Sequence, residues 1–97
     1  HCGTCHLPTG AGDPEMAPQL NRGSLVVQDE NPASMINAIL YGPHVPTPPL
    51  PPKWHEVMEE YQYTLDDEEV AAVATFIRHS WENAAGIVTP EQVARQR

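Results

Sequence analysis

Apolar positions recur at helical spacing in three places along this chain. Between residues 31 and 42, Ile36, Ile39 and Leu40 fall at i, i+3 and i+4, the stripe of a helix that buries one face. Asn31 stands before them as a cap and Pro32 as a first helical residue, and Gly42-Pro43 follow as a stop signal. From Asp66 to His79 the pattern is stronger. Val70, Val73, Ala74 and Ile77 line one face, and Trp81 continues it by one more turn. Asp66 and Glu69 have the spacing of a capping box, and Leu65 and Val70 that of a hydrophobic staple. Asp67, Glu68 and Glu69 in the first turn, with Arg78 and His79 in the last, complement the helix dipole. A third, shorter helix is predicted from Pro90 to about Arg95. Thr89 is its cap, Pro90 its first residue, Gln92 completes the box, and Val88 and Val93 form a staple.

Between these segments neither a helical nor an alternating period is sustained. Residues 7–23 carry Pro8, Gly10, Gly12, Asp13, Pro14, Pro18 and Gly23, too dense a punctuation for regular structure. Residues 24–28 are apolar enough for a short extended piece, but an isolated strand with no partner is expected to be irregular. Residues 43–57 hold Pro43, Pro46, Pro48, Pro49, Pro51 and Pro52. That excludes a helix or a central strand and predicts a semi-rigid extended loop. The expected fold class is all-α.

Composition narrows the partners. The 97 residues are one domain's worth, small enough that a bound cofactor commonly supplements the apolar core. The formal net charge of −8 argues against nucleic acid, which needs basic patches, and against an anionic membrane surface. No apolar run reaches the length of a membrane-spanning helix. No leader is read in the sequence, so any leader was removed or lies outside it.

The chemistry is concentrated at Cys2-Gly3-Thr4-Cys5-His6, which reads C-x-x-C-H. Residues three apart are neighbours on one helical turn, so two thiols and the following imidazole are presented together. This is the attachment signature of a c-type haem, with the cysteines bonding to the haem and His6 ligating its iron. Rival uses of the pair are poorer. A closed zinc site wants four ligands, and there is no third cysteine and no H-x3–5-H pair among His1, His44, His55 and His79. A thioredoxin-like redox pair expects a βαβ setting. A Cys2–Cys5 disulfide would close too small a loop to stabilise much. Thioether attachment implies assembly in an oxidising, extracytoplasmic compartment, typically the bacterial periplasm.

With this motif, Pro18 twelve residues after His6, and Met58 eight residues before Asp66, the chain resembles the class I cytochromes c. The resemblance implies that family's fold around one covalent haem c, and electron transfer rather than catalysis of substrate chemistry. It implies that the Pro18 carbonyl accepts a hydrogen bond from the ligand histidine's other ring nitrogen, fixing the ring. It also implies that Met58 is the sixth ligand, with Tyr61 in the aromatic position that follows, although Glu59 stands where relatives carry proline. Trp54 would donate to a haem propionate. From the residues alone, His55 or an open site stays an alternative to Met58, and Met/His ligation would give the higher potential.

Domains of this kind carry a helix before the attachment site. Its absence leads to the expectation that residues 1–97 are one haem domain belonging to a longer chain, with 82–97 as a C-terminal extension. Arg78, Ser80, Trp81 and Asn83 spell R-x-S-W-x-N. This resembles the end of the last haem domain in cytochrome c subunits of membrane-bound bacterial dehydrogenases for alcohols, aldehydes or sugar acids. The resemblance implies a relay from a dehydrogenase or neighbouring haem to a quinone-linked complex, an oxidase or another cytochrome, on the periplasmic side. A free shuttle cytochrome and a haem enzyme or sensor with an open distal site are the alternatives.

Overall fold

The computed structural model describes residues 2–12, 19–21, 25–42, 58–81 and 83–97, apart from the side chains of Cys5 and Leu25. Among these residues the regular structure is entirely helical. It comprises α1 (Gly3–His6), α2 (Leu25–Gln28), α3 (Ala33–Tyr41), α4 (Asp67–His79) and α5 (Pro90–Gln96). None of the described helices is long and apolar enough to cross a membrane.

α4 is the central element and packs against α2, α3 and α5. Its start is the reciprocal box expected from the sequence: Glu69 N–H donates to the Asp66 side chain, and Asp66 N–H to the Glu69 side chain. Val70, Ala71, Ala74 and Ile77 are buried along its inner face. α3 buries Met35, Ile36, Ile39 and Leu40 against them. α5 closes the same core through Val93, with Val88 just before it, and begins with the second reciprocal box, between Thr89 and Gln92. Its far end is held by Asn37, which donates to the Gln96 side chain, and by the Tyr41 hydroxyl, which donates to the Gln96 carbonyl. Thr89→Ala removes one cap acceptor and is expected to cost about 1 kcal/mol of unfolding free energy. Denaturant titration of the variant measures it.

The structure departs from the sequence reading at two places. α3 starts one residue late, at Ala33, because the Asn31 side chain accepts the Ala33 N–H in an Asx turn and Pro32 becomes the cap. Residues 25–28, expected to be irregular, form one helical turn. An isolated turn of that length is unfavourable, and tertiary contacts hold this one. Val27 is buried in the core, and the Arg78 guanidinium donates to the carbonyls of Val27 and Asp29 at 3.1 and 2.7 Å, capping the end of this turn.

Candidate functional site

The five residues of the motif fold as one turn. Cys2 occupies the cap position of α1, and His6 ends it. His6 N–H donates to the Cys2 carbonyl at 3.0 Å, so the first thiol-bearing residue and the histidine are joined through the main chain. The Cys2 thiol is free and half-buried, and Gly3 and Thr4 between them are exposed. His6 is only 7 % exposed, a burial that a histidine in a one-turn surface helix does not reach without cover from elsewhere. The chain then reverses at Leu7, at a φ of 68°, and Gly12 N–H returns to the His6 carbonyl at 3.0 Å.

Met58 and Tyr61 are brought to the C-terminal end of α3. Tyr61 N–H donates to the Ile39 carbonyl and Gln62 N–H to that of Leu40, at 3.1 and 3.0 Å. These bonds satisfy carbonyls that the last turn of α3 leaves open. The Tyr61 ring is buried in the core, its hydroxyl donating to Glu59 at 2.8 Å, and Met58 is half-buried against the same core. Gly42 makes the approach feasible. It ends α3 at a φ of 73°, and a Cβ there would lie 2.8 Å from the Met58 carbonyl oxygen. Its bare backbone lets the two segments close on each other.

The other candidates separate by place. Met35 is a core residue of α3 and His79 is exposed at the end of α4. Pro18, Trp54 and the alternative ligand His55 lie outside the described residues, as do Met16, His44 and the rest of the proline-rich segment 43–57. Among the described residues, no group of three or more His, Cys, Asp and Glu side chains gathers as a metal-ion site.

The R-x-S-W-x-N stretch turns out to be a set of three tethers. Arg78 is 1 % exposed and donates to the main-chain carbonyls of Val27, Asp29 and Gly86. The Trp81 indole N–H donates to the Pro8 carbonyl at 2.9 Å. Asn83, 6 % exposed, donates to the carbonyls of Leu20 and Ile77, each at 2.8 Å. Placing Arg78 in the last turn of a helix as a complement to its dipole missed this, since nothing local distinguishes it from the exposed His79. Gly10 and Gly42 were also invisible as site residues. Only their close contacts, with the Trp81 ring and the Met58 carbonyl, reveal them.

The cytochrome c family profile matches residues 1–81, and the chain belongs to the cytochrome c family. Members carry a covalently bound haem c and serve as electron carriers. The chain is similar to the cytochrome c subunit of alcohol dehydrogenase (quinone) from Gluconacetobacter polyoxogenes and from Komagataeibacter europaeus, at 38% identity over 100 residues in each case, covering 99% of this chain and 20% of the relative. Its counterpart in Gluconobacter oxydans is 31% identical over 98 residues, covering 100% of this chain and 20% of the relative. The chain therefore spans about one fifth of the length of these curated relatives.

The residues present fit a covalent haem. The donor set is a free thiol and a buried imidazole on one turn, with a soft thioether half-buried on the core. A haem c is attached through cysteine sulfurs, and imidazole and thioether are the axial ligands that cytochromes c use.

Proposed function

We propose that Cys2 and Cys5 attach the haem c, that His6 and Met58 are its two axial ligands, and that the domain relays electrons from a periplasmic dehydrogenase toward the respiratory chain. The reading is carried by the Cys2–His6 turn, in which a free Cys2 thiol and a buried His6 share one short helix. When bound, the haem supplies a reversible one-electron change between ferric and ferrous iron. The protein's part is to hold that centre still and keep water from it. The half-buried Cys2 lies near enough to solvent for attachment and near enough to the interior to seat an apolar group. The burial of His6 limits water at the imidazole. Met58 brings a polarizable sulfur, and Met/His ligation favours a higher potential than two histidines. Pro18 supports the His6 ring through its carbonyl in this reading, Trp54 donates to a propionate, and Tyr61 packs beside Met58.

Residues 1–97 form one haem domain of a longer cytochrome subunit of a quinone-linked alcohol dehydrogenase. This part of the reading rests on similarity over nearly the whole chain to subunits five times its length. The donor is then a dehydrogenase site or a neighbouring haem, and the acceptor a quinone-linked complex, an oxidase or another cytochrome. The experiment is mass analysis of the denatured polypeptide. It should carry one haem on this segment, and Cys2→Ser together with Cys5→Ser should release that haem into acidified organic solvent. A wild-type segment with a bare peptide mass overturns the assignment.

A further inference from the structure

His6 ends a helix that cannot hold itself. One turn of four residues is far below the length at which a helix persists alone. The main chain leaving it is a small closed turn. Gly10 N–H donates to the Leu7 carbonyl and Gly12 N–H to the His6 carbonyl, each at 3.0 Å. Leu7 holds a positive φ of 68° in this turn, which a bulky residue adopts only where its surroundings impose it.

Those surroundings include Trp81. Its indole N–H reaches the Pro8 carbonyl at 2.9 Å from 73 residues away. Its ring lies over Gly10 so closely that a Cβ on Gly10 would run into it, 2.6 Å from Cδ2. Phe76 meets the Trp81 ring edge to face, with centroids 5.9 Å apart and planes at 83°. Trp81 is itself in the left-handed region, at a φ of 52°. So a second bulky residue is held in an unfavoured conformation at the other end of the same contact. Two residues on, Asn83 donates to the Leu20 carbonyl, while Leu20 N–H donates to the Gly10 carbonyl at 2.7 Å. The end of α4 thus grips the turn behind His6 at Pro8, at Gly10 and through Leu20.

Resting on the assignment of His6 as an axial ligand, we propose that Trp81 is a positioning residue for the His6 imidazole: by clamping Pro8 and Gly10 it fixes the main chain that leaves His6, and with it the orientation of the ring. The groups that orient a ligating histidine set its ring direction and basicity. In this chain that support reaches the histidine through the main chain.

The test uses the haem-loaded protein and compares Trp81→Phe with wild type. Phenylalanine keeps a ring over Gly10 and loses the donor to Pro8. Amide hydrogen exchange at Gly10 and Gly12 is expected to accelerate about five- to ten-fold, the effect of losing one supporting hydrogen bond, while amides in the middle of α4 keep wild-type rates. The paramagnetically shifted ring-proton resonances of His6 in the ferric protein are expected to move. Phe76→Ala, at a residue 60 % exposed, withdraws the edge contact from the Trp81 ring without touching the turn. It should move the same resonances by less, and it serves if Trp81→Phe does not fold. Ile87→Ala, at a residue 64 % exposed, should move none of them. Haem-loaded variants at positions 81 and 76 with unmoved His6 resonances and unchanged exchange at Gly10 and Gly12 overturn the proposal alone. A wild-type chain without haem overturns the assignment of His6 and this proposal with it.

Discussion

Arg78→Ala is expected to lower the unfolding free energy by about 4 kcal/mol or more, since each hydrogen bond to a charged group contributes roughly 1.5–3 kcal/mol. Three such bonds are lost at once, to the carbonyls of Val27, Asp29 and Gly86. The loss also leaves a cavity where a side chain with 1 % exposure had filled the interior. Total stabilities of small domains lie at about 5–15 kcal/mol, so the variant sits close to unfolding at ambient temperature. The damage is not confined to α4. Val27 and Asp29 carry the end of α2, and Gly86 lies on the path to α5, so one substitution releases three segments. Arg78→Lys recovers little, because a single ammonium cannot reproduce the spread fork of the guanidinium. Denaturant titration followed by far-ultraviolet circular dichroism measures both variants. A loss under about 1 kcal/mol for Arg78→Ala would mean that water replaces the guanidinium without cost.

Met58→Ala is expected to lower the midpoint potential by on the order of 0.2 V, a fraction of the roughly 0.8 V that axial ligands span in haem proteins. In the proposed ligation the Met58 thioether is a soft ligand suited to ferrous iron, and its loss removes that preference. The same variant should bind added cyanide much faster than wild type does, because a coordination position is opened. Folding should change less. Met58 is half-buried at the margin of the core, and its segment stays anchored by the Tyr61 and Gln62 amides on α3. Spectroelectrochemical titration of Met58→Ala beside His55→Ala separates the two candidate ligands. If the potential and the cyanide rate move only in His55→Ala, the sixth ligand is His55. If they move in neither, the distal position is open.

How far the sequence reaches depends on how far apart the interacting groups are. The starts of α4 and α5 were legible in full, because a capping box is completed within four residues: Asp66 with Glu69, and Thr89 with Gln92. The buried faces of α3 and α4 were legible because side chains three and four apart share a face whatever the rest of the chain does. The cofactor was legible for the same reason. Cys2, Cys5 and His6 fit on one turn, and the chemistry of their donor atoms does not depend on distant residues.

What tertiary structure alone decided involves partners at long separation. Arg78 and His79 are adjacent basic residues in the last turn of α4, and local pattern treats them alike. One is buried and the other exposed because the carbonyls of Val27 and Asp29 wait 51 and 49 residues away. Residues 25–28 carry no helical signal strong enough to outweigh the cost of nucleating one turn, and they form it because the rest of the fold caps and covers them. Gly10 reads as ordinary loop punctuation until Trp81 is seen lying on it, and Gly42 as a helix stop until the Met58 carbonyl is seen against it. The sequence by itself determined the buried faces of α3 and α4, the caps of α4 and α5 and the C-x-x-C-H turn, whose signals are local. The support behind that turn was decided only when the chain closed on itself, because a backbone carbonyl looks the same in every sequence and acquires its donor only from the folded neighbourhood.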